Sequence, residues 1–195
     1  FQIGQSIDGN LNDHLGESVS INSEGNTIAV GVPGGDLNGN ASGHVSIYDF
    51  NGSSWQQRGN DIIGESPSSL SGSSIDLDSV GNIIGIGSHN HSTIINPSQV
   101  QFYEGQIEIY EWSNASGWVQ KGSDIEGKIS YGNFGRKIDL NNDGTKFITS
   151  SSGTSVNGPE GVVYVYSFDT LTNTYNLLGD SIVGQVPGDN IGRSV

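Results

Sequence analysis

Residues 59–64 read GNDIIG, and the pattern G-x-x-I-x-G that they form decides the fold because it recurs along the chain. Further copies stand at residues 4–9, 122–127 and 179–184. Successive copies begin 55, 63 and 57 residues apart, and another glycine follows the first glycine of each copy after 12 or 13 residues. Glycines that recur at the same positions in four copies indicate a tandem repeat.

The repeat divides the 195 residues into units with a shared internal pattern. The units are about residues 4–58, 59–121 and 122–178, with a partial unit at 179–195. Each full unit begins with two short apolar runs around a polar turn that contains glycine, which is typical of a β-hairpin. A longer apolar run follows, and a weaker one leads into the next unit. Each unit therefore predicts four short antiparallel strands.

The third run of each unit carries large side chains on both faces. In the second unit, Ile107 and Ile109 fall on one face of the predicted strand, and Tyr110 and Trp112 fall on the other. This is expected of a sheet that packs between two neighbouring sheets, as a blade of a β-propeller does. We predict an all-β fold of three four-stranded antiparallel blades. A β-sandwich is the alternative, and it does not predict the recurring glycines.

Composition excludes several classes of function. Seven basic and 21 acidic side chains give a net charge of −14, which disfavours binding to nucleic acid or to anionic lipid. The chain has no cysteine, which excludes disulfides and thiolate metal sites. Its apolar runs are far shorter than the roughly 20 residues that span a bilayer. We therefore expect no nucleic-acid partner and no membrane insertion.

Residues 15–33, LGESVSINSEGNTIAVGVP, resemble the FG-GAP repeat of integrin-α-type β-propellers. Residues 134–135 match the Phe-Gly of that repeat, and residues 31–33, Gly-Val-Pro, match its Gly-Ala-Pro half. The second and third units depart from the latter at residues 87–89 and 151–153. The join from Trp55 to Gly64 is similar to repeats of large secreted proteins from marine bacteria and algae. The resemblance covers almost the whole chain.

The resemblance implies that residues 1–195 are part of a larger propeller. The family usually closes with about seven blades, whereas this chain holds three blades and shared ends, since residues 1–19 correspond to residues 177–195. Open blade faces and strand edges need cover. We expect further repeats of the same protein or other protein chains as partners.

The resemblance also implies calcium as a candidate cofactor. Integrin-type blades hold calcium in a hairpin of pattern D-x-[D/N]-x-D-G-x-x-D, whose alternate oxygen ligands converge on the ion. The metal candidates are Asp139, Asn141 and Asp143, which precede Gly144 as the pattern requires. The ninth position is Phe147, so the closing carboxylate is missing. An ordinary turn, which also favours Asn, Asp and Gly, is the alternative.

Four sequons for N-glycosylation lie in predicted loops. They begin at Asn40, Asn51, Asn90 and Asn114. Random placement of the asparagines, serines and threonines predicts about as many, so only their loop positions favour a glycoprotein.

Candidate catalytic residues are scattered. His89 and His91 could share one face of a strand, but the sequence fixes no third metal ligand, and we interpret them as loop residues. Serine, histidine and aspartate occur without a motif that holds them in register. We predict that the chain is not an enzyme. The variable loops at residues 34–42, 89–104 and 151–160 are expected to meet on one rim and to form a recognition surface.

These observations lead to a prediction of function. We expect a non-enzymatic extracellular β-propeller module, used for adhesion or for the structural assembly of a cell-surface or filamentous structure. The alternatives are a carbohydrate-binding propeller with glycans as partners, and an accessory propeller of a secreted hydrolase. All of them place the protein outside the cell or at its surface.

Overall fold

The protein is described by a computed structural model that covers residues 1–96, 99–129, 131–152, 161–186, 189 and 191–195. Every regular element in these residues is a β-strand, which confirms the predicted all-β class. Within them we find no helix with the length and apolar character that a membrane crossing needs.

The residues that the structure describes contain seventeen strands, which form three large antiparallel sheets and one small hairpin. The first sheet contains β1 (Val19–Ile21), β2 (Thr27–Val32), β3 (His44–Phe50), β4 (Trp55–Gln57) and β5 (Ile62–Ile63). The second contains β6 (Ser74–Leu77), β7 (Ile83–Ser88), β10 (Gln106–Ser113), β11 (Gly117–Gln120) and β12 (Ile125–Glu126). The third contains β13 (Ile138–Leu140), β14 (Lys146–Ser151), β15 (Val162–Asp169), β16 (Thr174–Leu177) and β17 (Ile182–Val183). The hairpin is β8 (Thr93–Asn96) with β9 (Gln99–Gln101).

Each large sheet has the strand order of a propeller blade. The first runs β1-β2-β3-β4, and the other two repeat this order. The predicted fourth strand is in fact two pieces, since β4 and β5 both pair with β3. Between them, the amide of Arg58 donates a 2.7 Å hydrogen bond to the carbonyl of Ile47, and Gly59 takes a φ of +77°. The left-handed glycine interrupts the strand without ending its pairing with β3.

The core lies between the sheets. One apolar cluster joins the first and second sheets, and it includes Ile47, Leu77 and Ile84. A second cluster joins the second and third sheets, and it includes Ile109 and Phe147. The second sheet is therefore buried on both faces, as the sequence predicted for a blade.

A glycine directly precedes the third strand of each large sheet because a side chain does not fit there. Gly105 has a φ of +84°, and a Cβ atom on it would lie 2.0 Å from the carbonyl oxygen of Phe134. Gly43 has a φ of +75°, and its Cβ would lie 2.2 Å from the carbonyl oxygen of Ser71. At both places the backbone of the segment that enters the next blade lies against the glycine and leaves no room for a Cβ atom.

The loop at residues 89–104 is partly regular, because it contains the hairpin β8–β9. After the hairpin, Phe102 and Tyr103 pack with Tyr131, with ring centroids 5.6 to 6.4 Å apart. Most of the loop at residues 151–160 lies outside the described residues.

Candidate functional site

The segments that enter successive blades converge on one cavity. In each unit a residue follows the repeated second glycine, and these residues are Glu17, Ser73, Arg136 and Arg193. All four line a cavity of about 620 Å³, together with His89 and Lys137. We call this cavity the basic cavity. The repeat register therefore brings residues from four places in the sequence to one site.

The charge of the basic cavity is opposite to that of the chain. Arg136, Lys137 and Arg193 are three of only seven Lys and Arg residues, in a chain of net charge −14. All three side chains are exposed to solvent. Arg136 Nη1 donates a 3.3 Å hydrogen bond to Ser152 Oγ, which holds the guanidinium of Arg136 at the edge of the basic cavity. Such a group of cations in a concave site favours an anionic ligand.

Ser73 and His89 form a hydrogen-bonded pair at the edge of this cavity. Ser73 Oγ donates to the carbonyl oxygen of Gly87 at 3.1 Å, so its only hydrogen is engaged. When Ser73 donates to Gly87, the 2.7 Å contact between Ser73 Oγ and Nδ1 of His89 places the ring hydrogen on Nδ1. This tautomer leaves Nε2 with a free lone pair, as a general base needs.

The surroundings keep His89 neutral. Burial lowers the pKa of His89 below its ordinary value of 6.5, because a desolvated imidazolium is disfavoured. The positive charges of Arg136 and Lys137 act in the same direction, and the carboxylate of Glu17 opposes them. At neutral pH the imidazole can therefore accept a proton.

A second cavity of about 530 Å³ shares Glu17 and His89 with the basic cavity. We call it the adjoining cavity. Its walls carry amide and carboxylate groups that include Asn12, Asp36 and Asn40. These groups can hydrogen-bond to hydroxyl groups of a polar ligand.

The three metal candidates from the sequence lie on the hairpin of the third sheet. Asn141 Oδ1 accepts a 2.8 Å hydrogen bond from the amide of Lys146, and Asp143 Oδ1 accepts a 3.0 Å hydrogen bond from the amide of Thr145. Hydrogen bonds from Thr145 lower the pKa of Asp143. Asp139 is exposed on β13. The side chains of Asn141 and Asp143 thus support the turn itself, and calcium binding there stays a prediction.

The sequon asparagines occupy different environments. Asn40, Asn51 and Asn114 are exposed in loops, whereas Asn90 is half-buried and lines the basic cavity. Asn51 Oδ1 accepts a 3.0 Å hydrogen bond from the amide of Ser53, and Asn114 Oδ1 accepts one of 2.9 Å from Trp112 Nε1. Glycosylation stays a prediction at all four.

Sequence reasoning missed the basic cavity and interpreted His89 as a loop residue. A signal was present in the repeat. His89 stands where the first unit has Pro33 of the Gly-Val-Pro match, so the departure from the family pattern marks the site. The residue after the repeated glycine also changes from acidic Glu17 to basic Arg136, while the glycine before it is kept.

The fold resembles solved structures of low sequence identity. A proposed 6-phosphogluconolactonase from Bacteroides uniformis has a TM-score of 0.54 and 15% identity, over 85% of this chain and 40% of that one. The periplasmic gluconolactonase PpgL from Pseudomonas aeruginosa has a TM-score of 0.55 and 13% identity, over 86% of this chain and 44% of that one. Sqt1 from Saccharomyces cerevisiae has a TM-score of 0.53 and 11% identity, over 90% of this chain and 36% of that one. The chain thus spans less than half the length of these structures. No curated protein matches it in sequence.

This comparison corrects two predictions, namely that the chain is a non-enzymatic module for adhesion or assembly and that it is not an enzyme. Two of the structures that share its fold are named as lactonases. The prediction took a repetitive sequence without a local catalytic motif as evidence against catalysis. In a propeller, however, the residues of a site can come from different blades, as His89 of the second unit and Arg136 of the third unit do in the basic cavity.

The family resemblance is confirmed. The model of the FG-GAP repeat family matches residues 6–48, which run from the N-terminal segment into β3. This stretch contains residues 31–33, the Gly-Val-Pro that carried the resemblance. The chain therefore folds into β-propeller blades and carries an FG-GAP repeat at residues 6–48.

Proposed function

We propose that this chain forms part of a lactone hydrolase in which His89 is the general base. The observation that carries the proposal is that His89 lines both the basic cavity and the adjoining cavity, so the middle of a substrate that fills both lies beside the imidazole. The names of two similar structures suggest the reaction class, because both are named as lactonases.

The chemistry needs one base that can return the proton it takes. Nε2 of His89 accepts a proton from water, and the hydroxide bonds to the carbonyl carbon of the lactone, whose oxygen becomes an alkoxide. The carbonyl re-forms as the bond from this carbon to the ring oxygen breaks, and the ring oxygen takes the proton from the imidazolium. The product is an open-chain hydroxy acid. The ammonium group of Lys137 stabilises the alkoxide.

The charges of the two cavities indicate the substrate class. Arg136 and Arg193 suit a phosphate or carboxylate group, which guanidinium groups bind through paired hydrogen bonds. The amide and carboxylate groups of the adjoining cavity suit sugar hydroxyls. We infer that the substrate is a sugar lactone that carries a negative charge.

Hydrolysis of two lactones by the purified chain tests the proposal. Proton release is followed with the δ-lactones of 6-phosphogluconate and of gluconate, each corrected for spontaneous hydrolysis. We expect faster turnover of the phosphorylated lactone, and a fall in kcat of at least about 100-fold in His89→Gln. Arg136→Gln should raise KM for the phosphorylated lactone and leave KM for the other unchanged.

The matched control is His91→Gln, because His91 lies in the same loop and lines neither cavity among the residues described. It should keep wild-type kcat. A wild-type rate equal to the spontaneous rate with both lactones would overturn the proposal. Equal kcat in wild type and His89→Gln, with both proteins folded by circular dichroism, would overturn the role of His89.

A further inference from the structure

Three carboxylates from separate segments meet in a cluster that has no part in the proposed hydrolysis. Glu65 follows β5, Glu108 lies in β10, and Asp124 comes directly before β12. One carboxylate oxygen of each lies within 4.8 Å of the other two. None of them is among the described residues that line the basic cavity or the adjoining cavity. Like charges at this separation repel each other strongly unless a cation lies between them or one carboxyl group is protonated.

Glu108 supplies a second observation, independent of the acidic grouping. Its side chain is 1% exposed, and Tyr110 donates a 2.8 Å hydrogen bond to Oε1. Oε2 is buried and has no hydrogen-bond partner. An unpaired buried carboxylate oxygen is costly, and native proteins seldom leave one without a donor or a metal. This oxygen belongs to the carboxylate that faces Glu65 and Asp124.

Neighbouring groups hold the cluster but do not neutralise it. The buried amide of Gln106 donates a 3.0 Å hydrogen bond to Glu65 Oε2, and Gln120 Nε2 donates to Asp124 Oδ1. The ion pairs of the described residues join other side chains, so no Lys or Arg in that part of the chain pairs with Glu65, Glu108 or Asp124. The carboxylates are therefore positioned without a counter-charge.

The equivalent place in the first sheet is closed by a hydrogen bond. Ser46 Oγ donates to Asp61 Oδ1 at 2.6 Å, and Asp61 stands where Asp124 stands in the second unit. Glu108 takes the place of Ser46. The second blade thus has a second carboxylate where the first blade has a hydroxyl donor, on the same backbone framework. A cation between the two carboxylates would take the place of the missing donor.

We propose that Glu65, Glu108 and Asp124 bind a calcium ion. Ca²⁺ holds carboxylate oxygens at about 2.3–2.6 Å, so two oxygens on opposite sides of it are up to about 5 Å apart, as the 4.8 Å spacing allows. Mg²⁺ binds at about 2.0–2.1 Å and needs a tighter cage. The exposed side chains of Glu65 and Asp124 leave access for water to complete the coordination.

Calorimetric titration of the EDTA-treated chain with CaCl₂ tests this site. We expect wild type to bind calcium, and Glu108→Gln to weaken that site more than about tenfold, because the amide keeps the shape and removes the charge. Glu108→Ser, which copies Ser46 of the first blade, should weaken it as well. The control is Asp143→Asn, which alters the hairpin candidate of the third sheet and should leave binding at the cluster intact.

Thermal unfolding separates loss of binding from loss of folding. In EDTA, Glu108→Gln should unfold at a higher temperature than wild type because it relieves the repulsion, and added calcium should raise the unfolding temperature of wild type alone. Equal responses to calcium in wild type and Glu108→Gln would overturn the proposal. So would a response that is lost only in Asp143→Asn, or one that MgCl₂ produces at the same concentrations as CaCl₂.

Discussion

The first and second blades share a framework and differ at equivalent positions. Leu77 on the inner strand β6 is 6% exposed because it packs against the first blade, whereas Ile21, at the same position of β1, is 59% exposed. Two further pairs differ in residue type, namely Arg58 and Lys121, and Pro33 and His89. The repeated glycines and apolar residues determine the fold of each blade. The positions that differ between blades determine which contacts a blade makes and which chemical groups it presents.

Truncation of the inner strand gives the largest expected difference between the blades. Leu77→Ala should lower the free energy of unfolding by about 3 kcal/mol, since it opens a cavity between two packed sheets. The matched Ile21→Ala should change it by less than about 0.5 kcal/mol, because that side chain is exposed. Urea unfolding of both variants measures the difference.

Equal losses in the two variants would break the comparison. They would mean that the open face of the first blade is covered in solution, and the concentration dependence of the unfolding midpoint would show whether a second copy covers it.

The same contrast explains what the sequence could predict. The blades were predictable because the residues of each strand alternate between its two faces, and both faces carry large side chains. Ile107 and Tyr110 lie on opposite faces of one strand. The division of the fourth strand into two pieces was not predictable, because it depends on the left-handed conformation of Gly59 and on the pairing of both pieces with β3. The basic cavity was not predictable, because His89 of the second unit meets Glu17 of the first and Arg136 of the third only through the packing of blades.

The cation at the outer end of each blade gives the next largest difference. The guanidinium of Arg58 lies 4.6 Å from the ring centroid of Trp112 and 5.5 Å from that of Trp118, and it donates a 2.9 Å hydrogen bond to the carbonyl of Gly81. Lys121 has the equivalent place in the second blade, and its ammonium lies 5.0 Å from the Phe168 ring. Both cations therefore bind one blade to the next.

We expect Arg58→Ala to lower the free energy of unfolding by about 2 kcal/mol, and Lys121→Ala by about 0.5–1 kcal/mol. Arg58→Lys is the control, since it keeps the charge and loses the planar fork. It should fall between wild type and Arg58→Ala in thermal and urea unfolding. A loss in Lys121→Ala as large as that in Arg58→Ala would show that charge alone, and not the stacked guanidinium, holds the blades together.

The exchange of Pro33 for His89 gives the smallest expected effect on stability, because it concerns one imidazole. Burial, Arg136 and Lys137 lower the pKa of His89, so the folded chain binds fewer protons there than the unfolded chain. The stability that this difference supplies is fully present above pH 6.5 and is lost as the pH falls through the lowered pKa. Titration of the His89 ring by NMR should give a midpoint below 6.5, and Arg136→Gln should raise it. A midpoint at or above 6.5 would remove the reason to regard His89 as a neutral base.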